Sequence, residues 1–264
     1  MKKTLTYILI ILFFSNTFHL LSQAFTNVAI EAGLEVVSKN NGVAVADYDN
    51  DGDLDLFFTG FYSFNANDET TWNRLMRNNG NGVFEDVTME AGFTNQFVNT
   101  DVTASLGEKM GASWGDYDND GLLDIFSYEV GGGGQYHNEG NDSFSHVINQ
   151  FVPAIPAIAS RGATWGDFNL DGYLDVYIGG YETPGYSPDF IYTNNGSGTF
   201  NQTWSTVPEH DPARGVTACD FDEDGDLDIY VSNYRLEANV LLQNDGSGTF
   251  TNVADIFGVA GIYD

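Results

Sequence analysis

The sequence predicts an all-β chain built from repeated four-stranded antiparallel units, on three observations. An acidic nine-residue run occurs four times, as DYDNDGDLD (47–55), DYDNDGLLD (116–124), DFNLDGYLD (167–175) and DFDEDGDLD (220–228). Behind each comes a turn rich in Asn and Gly and closed by Phe: NNGNGVF (78–84), NEGNDSF (138–144), NNGSGTF (194–200) and NDGSGTF (244–250). The acidic runs start 69, 51 and 53 residues apart, a regular period that an unbroken sandwich would not keep. Each unit reads as strand, acidic loop, strand, connector, strand, Asn-Gly turn, strand. A four-stranded unit repeated at this period is a β-propeller blade, and four blades are present.

Taken in order, residues 1–22 open on MKK, run apolar from Tyr7 to Phe14 and end on HLLS. A basic start and an apolar stretch too short to span a bilayer mark a secretory signal peptide. Cleavage is expected near Ser22, which leaves a propeller over 23–264. The first mature segment, FTNVAIEAGL (25–34), matches FEDVTMEAGF (84–93), the fourth strand of the first blade. The chain is therefore expected to enter on a closing strand at 25–34 and to leave on another fourth strand at FTNVADIFGV (250–259). On that phase the propeller is expected to be incomplete at its C-terminal side, with missing blades or self-association to follow.

The runs before the loops, GVAVADYD, GASWGDYD, GATWGDFN and GVTACDFD, are short and alternating. Those after them, LDLFFTG, LDIFSYE, LDVYIGG and LDIYVSN, are rich in β-branched and aromatic residues, so each loop joins two strands. Loop position 2 is always aromatic (Tyr48, Tyr117, Phe168, Phe221) and position 8 always Leu (Leu54, Leu123, Leu174, Leu227). Both are expected to anchor the loop in the core. Cys219, the one cysteine, stands where the other units have Ala46, Gly115 and Gly166. It is expected to be a buried free thiol rather than a nucleophile.

Five aspartates within Asp47–Asp55 repel one another, by about 1 kcal/mol per pair at 4 Å in water and several-fold more near a protein surface. A cation would cancel that charge. Position 1 is Asp47, Asp116, Asp167 or Asp220; position 3 is Asp49, Asp118, Asn169 or Asp222. Position 5 is Asp51, Asp120, Asp171 or Asp224; position 9 is Asp55, Asp124, Asp175 or Asp228. Position 6 is Gly52, Gly121, Gly172 or Gly225, which can take φ > 0 and wrap the loop. Calcium accepts six to eight oxygens at about 2.3–2.6 Å. Four side chains, one backbone carbonyl from position 7 (Asp53, Leu122, Tyr173, Asp226) and water would fill that shell. Magnesium, which keeps more of its water and wants stricter geometry, fits less well. The loop is not an EF-hand, because position 12 is Phe58, Ser127, Ile178 or Val231 and the flanks are strands. About four Ca²⁺ are expected, one per blade. In a chain that can form no internal disulfide their role is mainly structural.

These units resemble the FG-GAP/VCBS repeat of integrin α-chain propellers and of cartilage-acidic-protein-like secreted proteins. GASWGDYDNDGLLDIF and NRLMRNNGNGVFEDVTMEAGF carry the likeness most clearly, and it covers essentially all of 25–260. The resemblance implies a calcium-binding propeller, usually of about seven blades, so that the four here are expected to be part of a larger ring. It also implies an extracellular or cell-surface setting and a non-catalytic recognition or adhesion role.

Without the signal peptide, seven basic side chains face 38 acidic ones, a net charge of −31. That argues against nucleic acid or an anionic membrane as partner. In a four-strand meander the acidic loops and Asn-Gly turns share one face. The long connections 59–73, 93–110, 129–136, 148–161, 180–190 and 206–214 share the other. Irregular loops on a rigid frame are where ligands bind. Phe61, Tyr62, Phe64, Trp72, Tyr181, Tyr186 and Arg161 are the candidates there for a protein or carbohydrate ligand. Catalysis is not expected. His137, His146 and His210 lack metal spacing, no G-x-S-x-G occurs, and GGGG (131–134) has no phosphate-loop Lys. The metal loops absorb most carboxylate pairs. The alternative is the propeller of a polysaccharide lyase, whose cationic groups on the irregular face would be Lys109, Arg161 and Arg214.

Overall fold

The structure, a computed structural model, describes residues 25–35, 39–60, 70, 72–93, 109–129, 134–147, 150–155, 162–180, 188–206, 212–234 and 237–261. The expected signal peptide, 1–22, lies outside them. Blade 1 consists of β1 (Asn40–Ala46), β2 (Asp55–Gly60), β3 (Arg74–Asn78) and β4 (Phe84–Asp86). Blade 2 consists of β5 (Lys109–Gly115), β6 (Asp124–Glu129), β7 (Gly134–Gly140) and β8 (Ser143–Val147). After β9 (Phe151–Val152), blade 3 is β10 (Gly162–Gly166), β11 (Asp175–Gly179), β12 (Phe190–Asn194) and β13 (Phe200–Ser205). Blade 4 is β14 (Ala213–Cys219), β15 (Asp228–Asn233), β16 (Val240–Asn244) and β17 (Phe250–Asn252), followed by the single turn of α1 (Ala254–Phe257). Within each blade the strands pair antiparallel in chain order. The fold is thus the expected all-β propeller arrangement of four-stranded blades.

Each acidic loop closes its first hairpin in one register: Ala46 faces Asp55, Gly115 faces Asp124, Gly166 faces Asp175 and Cys219 faces Asp228. Inner strands stack in sequence, β1 on β5, β5 on β10 and β10 on β14, and among the described residues no comparable packing joins β14 back to β1. The core lies between blades. Tyr48, Phe57 and Leu75 of blade 1 cluster with Ile125, Tyr136 and Phe144 of blade 2, and the next two interfaces repeat the scheme. A first-strand Trp enters the blade before it. Trp114 stacks on Tyr48 at 6.2 Å and meets Phe57 edge-on, and Trp165 meets Phe126 edge-on at 5.9 Å. Such pairs add about 0.5–1.5 kcal/mol beyond the area they bury.

Several local expectations are corrected. Segment 25–34 is not a ladder strand. Val28–Leu34 forms a helical turn closed by Gly33 (φ 77°), with Leu34 N–H donating to Ala29 and Gly33 N–H to Ile30. This is the Schellman pattern, in which glycine takes the left-handed position at a helix end. The same bonds recur at 87–93 and 253–259, so 250–259 is also a short strand followed by a turn. Two of these turns clip onto the next blade: the Ala32 and Ala91 carbonyls accept the N–H groups of Phe84 and Phe144. Blade 3 is served differently. The Gln150 carbonyl accepts the Phe200 N–H, and β9 adds a parallel fifth strand beside β13. Blade 2 also turns at Asn141–Asp142, both left-handed, rather than at Asn-Gly.

Leu54 is 58% exposed rather than anchored in the core, since no blade among the described residues packs against that face of blade 1. Cys219 is an exposed thiol, not a buried one. A Cβ at the equivalent Gly115 would touch the Trp165 ring of the next blade at 2.9 Å. Among the described residues no blade packs beyond blade 4 to cover Cys219.

Candidate metal centres

The four acidic loops share one hydrogen-bond plan. The position-1 carboxylate accepts the N–H groups of positions 5 and 6: Asp47 from Asp51 (3.0 Å) and Gly52 (3.0 Å), and likewise at Asp116, Asp167 and Asp220. Position 5 accepts from position 7 at 2.8–3.2 Å. Position 4 is left-handed throughout (Asn50, Asn119, Leu170 and Glu223, φ 57–63°), as is the glycine at position 6 (φ 89–100°). Asn takes that conformation more readily than Leu, so Leu170 carries the steric penalty; the Asn50 and Asn119 amides donate to the Gly121 and Gly172 carbonyls of the next blade at 3.2 and 2.9 Å.

Position 9 is the strut of each loop. Asp55, Asp124, Asp175 and Asp228 are at most 1% exposed. One oxygen accepts the N–H of position 2 (3.0–3.2 Å) and the other accepts the N–H of the Asn that opens the Asn-Gly turn (2.7–2.9 Å). These carboxylates share their loops with the other predicted ligands. Oxygens of Asp47, Asp49 and Asp55 lie within 4.8 Å of one another, as do those of Asp116, Asp118 and Asp124, and of Asp220, Asp222 and Asp228. Loop 3 keeps the same backbone with Asn169 at position 3. Its Oδ1 accepts the Asp171 N–H at 3.1 Å and its Nδ2 donates to Asp171 at 2.9 Å. The position-7 side chains of Asp53, Leu122, Tyr173 and Asp226 lie against the turn glycines Gly80, Gly140, Gly196 and Gly246.

Loop 2 differs from the others. His137 Nδ1 is 3.0 Å from Asp124 Oδ1 and 3.7 Å from Asp118 Oδ2, and Asp118, Asp120 and His137 also converge. Burial pulls the imidazole down, but the Asp124 and Asp118 carboxylates outweigh it and hold the ring above its usual pKa.

The donor sets fit a hard dication: oxygen ligands dominate, they converge, and several are buried without a balancing cation. Asp226 Oδ1 is buried with no hydrogen-bond partner. Burial pushes Asp55 and Asp124 up to about 6 and Asp175 up to about 7, against the lowering effect of their backbone donors. Asp228 is raised for the same reason, and Asp226 reaches about 6 through burial and the Asp224 and Asp228 charges. An unfolded Asp titrates near 3.9, so without metal the folded chain holds these protons more tightly. The resulting stability is complete below about 3.9 and is lost as pH rises through 6 to 7. In calcium-free buffer the melting temperature is therefore expected to fall between pH 5 and pH 8, as read by calorimetry. A rise over that interval would contradict the assignment.

The turn Asn does more than shape the turn. Asn138 Nδ2 donates to the Tyr48 carbonyl (3.0 Å), Asn194 to Tyr117 (2.7 Å) and Asn244 to Phe168 (2.8 Å), each acceptor lying in the preceding blade. The same amides also reach the position-8 Leu carbonyl of their own loop. The signal was present in the sequence, since this Asn opens all four turns, but turn chemistry already explained it. On the irregular face, Phe61, Tyr62, Phe64, Tyr181, Tyr186 and Arg161 lie outside the described residues, as does the Lys109 side chain. Trp72 is half-buried there, and the Arg214 guanidinium lies 3.9 Å over the Tyr234 ring.

Comparison with known proteins agrees with the repeat. The chain is 29% identical over 152 residues to mouse (Mus musculus) cartilage acidic protein 1, an alignment covering 56% of this chain and 22% of that protein. It thus spans about a fifth of that relative's length. A lectin of Agrocybe aegerita, described as recognising non-reducing terminal N-acetylglucosamine, superposes with a TM-score of 0.48 and 20% identity over 85% of this chain and 54% of its own. The FG-GAP-like repeat model matches 47–127, 116–178 and 167–231, each stretch running from one acidic loop into the next blade's second strand. With most of the chain so matched and the loops, clasps and turns repeating in step, this protein belongs to the FG-GAP-like repeat family.

Proposed function

We propose that the chain is a secreted or cell-surface, calcium-stabilised recognition module without catalytic activity, which presents a protein or carbohydrate ligand site on its irregular-loop face. The convergence of position-1, -3 and -9 carboxylates in loops 1, 2 and 4 carries this reading. Bound calcium supplies the positive charge that these carboxylates otherwise lack. The chain's own residues do the rest. Positions 1 and 5 hold the loop backbone, position 9 ties the loop to the Asn turn, and the Asn ties it to the blade before. Secretion is supported by the basic-then-apolar leader at 1–22 and by the acidic charge of the remainder. No helix among the described residues is long and apolar enough to cross a membrane.

Calorimetric titration tests the metal reading. The folded mature chain should take up about four equivalents of Ca²⁺, the weakest in loop 3, where Asn169 leaves one carboxylate fewer. Affinity follows ligand charge, so Asn169→Asp should tighten that step. Folded protein that takes up no calcium would overturn the reading. An unchanged weakest step in Asn169→Asp would show that charge count does not set the order.

A further inference from the structure

Neighbouring acidic loops touch one another through position 4. The Asn50 amide of loop 1 donates to the Gly121 carbonyl of loop 2 at 3.2 Å, and the Asn119 amide of loop 2 donates to the Gly172 carbonyl of loop 3 at 2.9 Å. Both acceptors stand at loop position 6. The third junction breaks the series. Position 4 of loop 3 is Leu170, which carries no donor, and among the described residues no side-chain amide reaches the Gly225 carbonyl of loop 4. Leu170 nevertheless extends toward blade 4, since a Cβ on Gly246 would lie 3.7 Å from its Cδ1.

The peptide held in this way lies between two of the expected ligands. The carbonyl of position 6 and the N–H of position 7 belong to one plane. At the other end of that plane the Leu122 N–H donates to Asp120 Oδ1 at 2.8 Å, and the Tyr173 N–H to Asp171 Oδ1 at 3.0 Å. An amide of one blade therefore fixes, in the next, the link between the position-5 carboxylate and the position-7 carbonyl. The donor depends in turn on its own loop. Position 4 sits between positions 3 and 5 in the left-handed conformation (Asn50 φ 59°, Asn119 φ 61°). A non-glycine residue keeps that conformation only where its surroundings hold it. Repulsion among the flanking carboxylates works against the arrangement, and a bound cation relieves it.

We infer that Asn50 and Asn119 are positioning residues for the metal loop of the following blade, so that loops 1, 2 and 3 fill as a coupled set while loop 4 fills independently. The inference rests on the calcium reading above. Linkage makes the effect reciprocal: an ion in loop 2 strengthens loop 1 by the factor with which an ion in loop 1 strengthens loop 2. One exposed hydrogen bond is a modest link, so the factor is about fivefold per junction, at the low end of coupling between sites. Repulsion between neighbouring ions opposes the coupling, but it acts at the third junction as well. Loop 4 is therefore the internal reference.

A calcium titration of the mature chain followed by ¹H–¹⁵N NMR tests this. The N–H groups of Gly52, Gly121, Gly172 and Gly225 each donate to the position-1 carboxylate of their own loop, and each reports on that loop alone. Asn50→Gly removes the amide while the backbone remains free to take the left-handed conformation. It should raise the calcium midpoint at Gly121 about fivefold and leave that at Gly225 unmoved. Asn119→Gly should do the same at Gly172. Leu170→Asn supplies the missing donor and should lower the midpoint at Gly225 by a similar factor. Far-UV circular dichroism identifies folded variants, and Leu170→Asn decides the matter if neither Asn variant folds. A residue that only shaped its own loop would move Gly52 in Asn50→Gly and leave Gly121 where it was. That result, or an unmoved Gly225 in Leu170→Asn, overturns the inference while the four loops still fill. A folded chain in which no glycine responds to calcium overturns the calcium reading together with it.

Discussion

Adding excess chelator to calcium-loaded mature chain is expected to lower its melting temperature by roughly 20 °C or more. A ligand at 100 times its Kd that binds only the folded state adds about 2.7 kcal/mol per site, on the order of 10 kcal/mol for four. That is comparable with the whole stability of a domain, and 1 kcal/mol moves the melting point of a chain this size by about 2–4 °C. The source of the effect is visible in the loops: buried position-9 carboxylates with raised pKa values, and further carboxylates within 4.8 Å. A bound cation, as proposed above, would offset the cost of holding them together as anions. Differential scanning calorimetry with calcium, with chelator and after calcium is restored would check it. A shift of only a degree or two would mean that the hydrophobic interfaces hold the blades without the ion.

Asn194→Ala is expected to destabilise the calcium-loaded chain by about 2–3 kcal/mol, seen as a fall in melting temperature of about 5–10 °C. Asn194 is 1% exposed. Its amide donates to the Tyr117 and Leu174 carbonyls, and its oxygen accepts the Gly196 N–H at 3.0 Å. Truncation strands these groups where water does not reach, and a buried unsatisfied group costs about 1–3 kcal/mol. Asn78→Ala is the control, with the same turn and the same own-loop bond but, among the described residues, no acceptor in a preceding blade. It should cost about half as much. Equal losses at the two sites would show that the Asn acts only within its turn and does not join blades.

Most of the blade was legible because its signals are local. Alternating apolar runs mark the strands, Asn and Gly mark the turns, and the D-x-D-x-D-G spacing fixes which side chains share a loop. The fourth strands were read too long. FTNVADIFGV is apolar enough for a strand, but its left-handed Gly258 ends a helical turn after only three strand residues. A single segment does not reveal that choice. The parallel β9 was not legible either, because its pairing to Phe200 and Asn201 joins residues about fifty apart with no motif in common. Cys219 and Leu54 were misplaced for a related reason. Burial at those positions is decided by the neighbouring blade, and the periodic pattern carries no record of whether a neighbour exists. At the acidic loops the grouping of positions 1, 3 and 9 could be read from spacing, and their carboxylates converge in loops 1, 2 and 4. The double duty of position 9 and the reach of the Asn amide across blades required three dimensions.

The Asn bond between blades also bears on how such a chain can change its length. In the bond made by the turn-opening Asn, the acceptor is a main-chain carbonyl at loop position 2, independent of which aromatic stands there. That bond therefore needs no tailored side chain on the accepting blade. A tandem duplication of one unit of about fifty residues would present matching partners on both sides from its first generation. A deletion of one unit would rejoin its neighbours in the same way. Blade number can then drift by whole units while this one bond is kept at each junction, and selection on the irregular loops proceeds separately from selection on the frame that carries them.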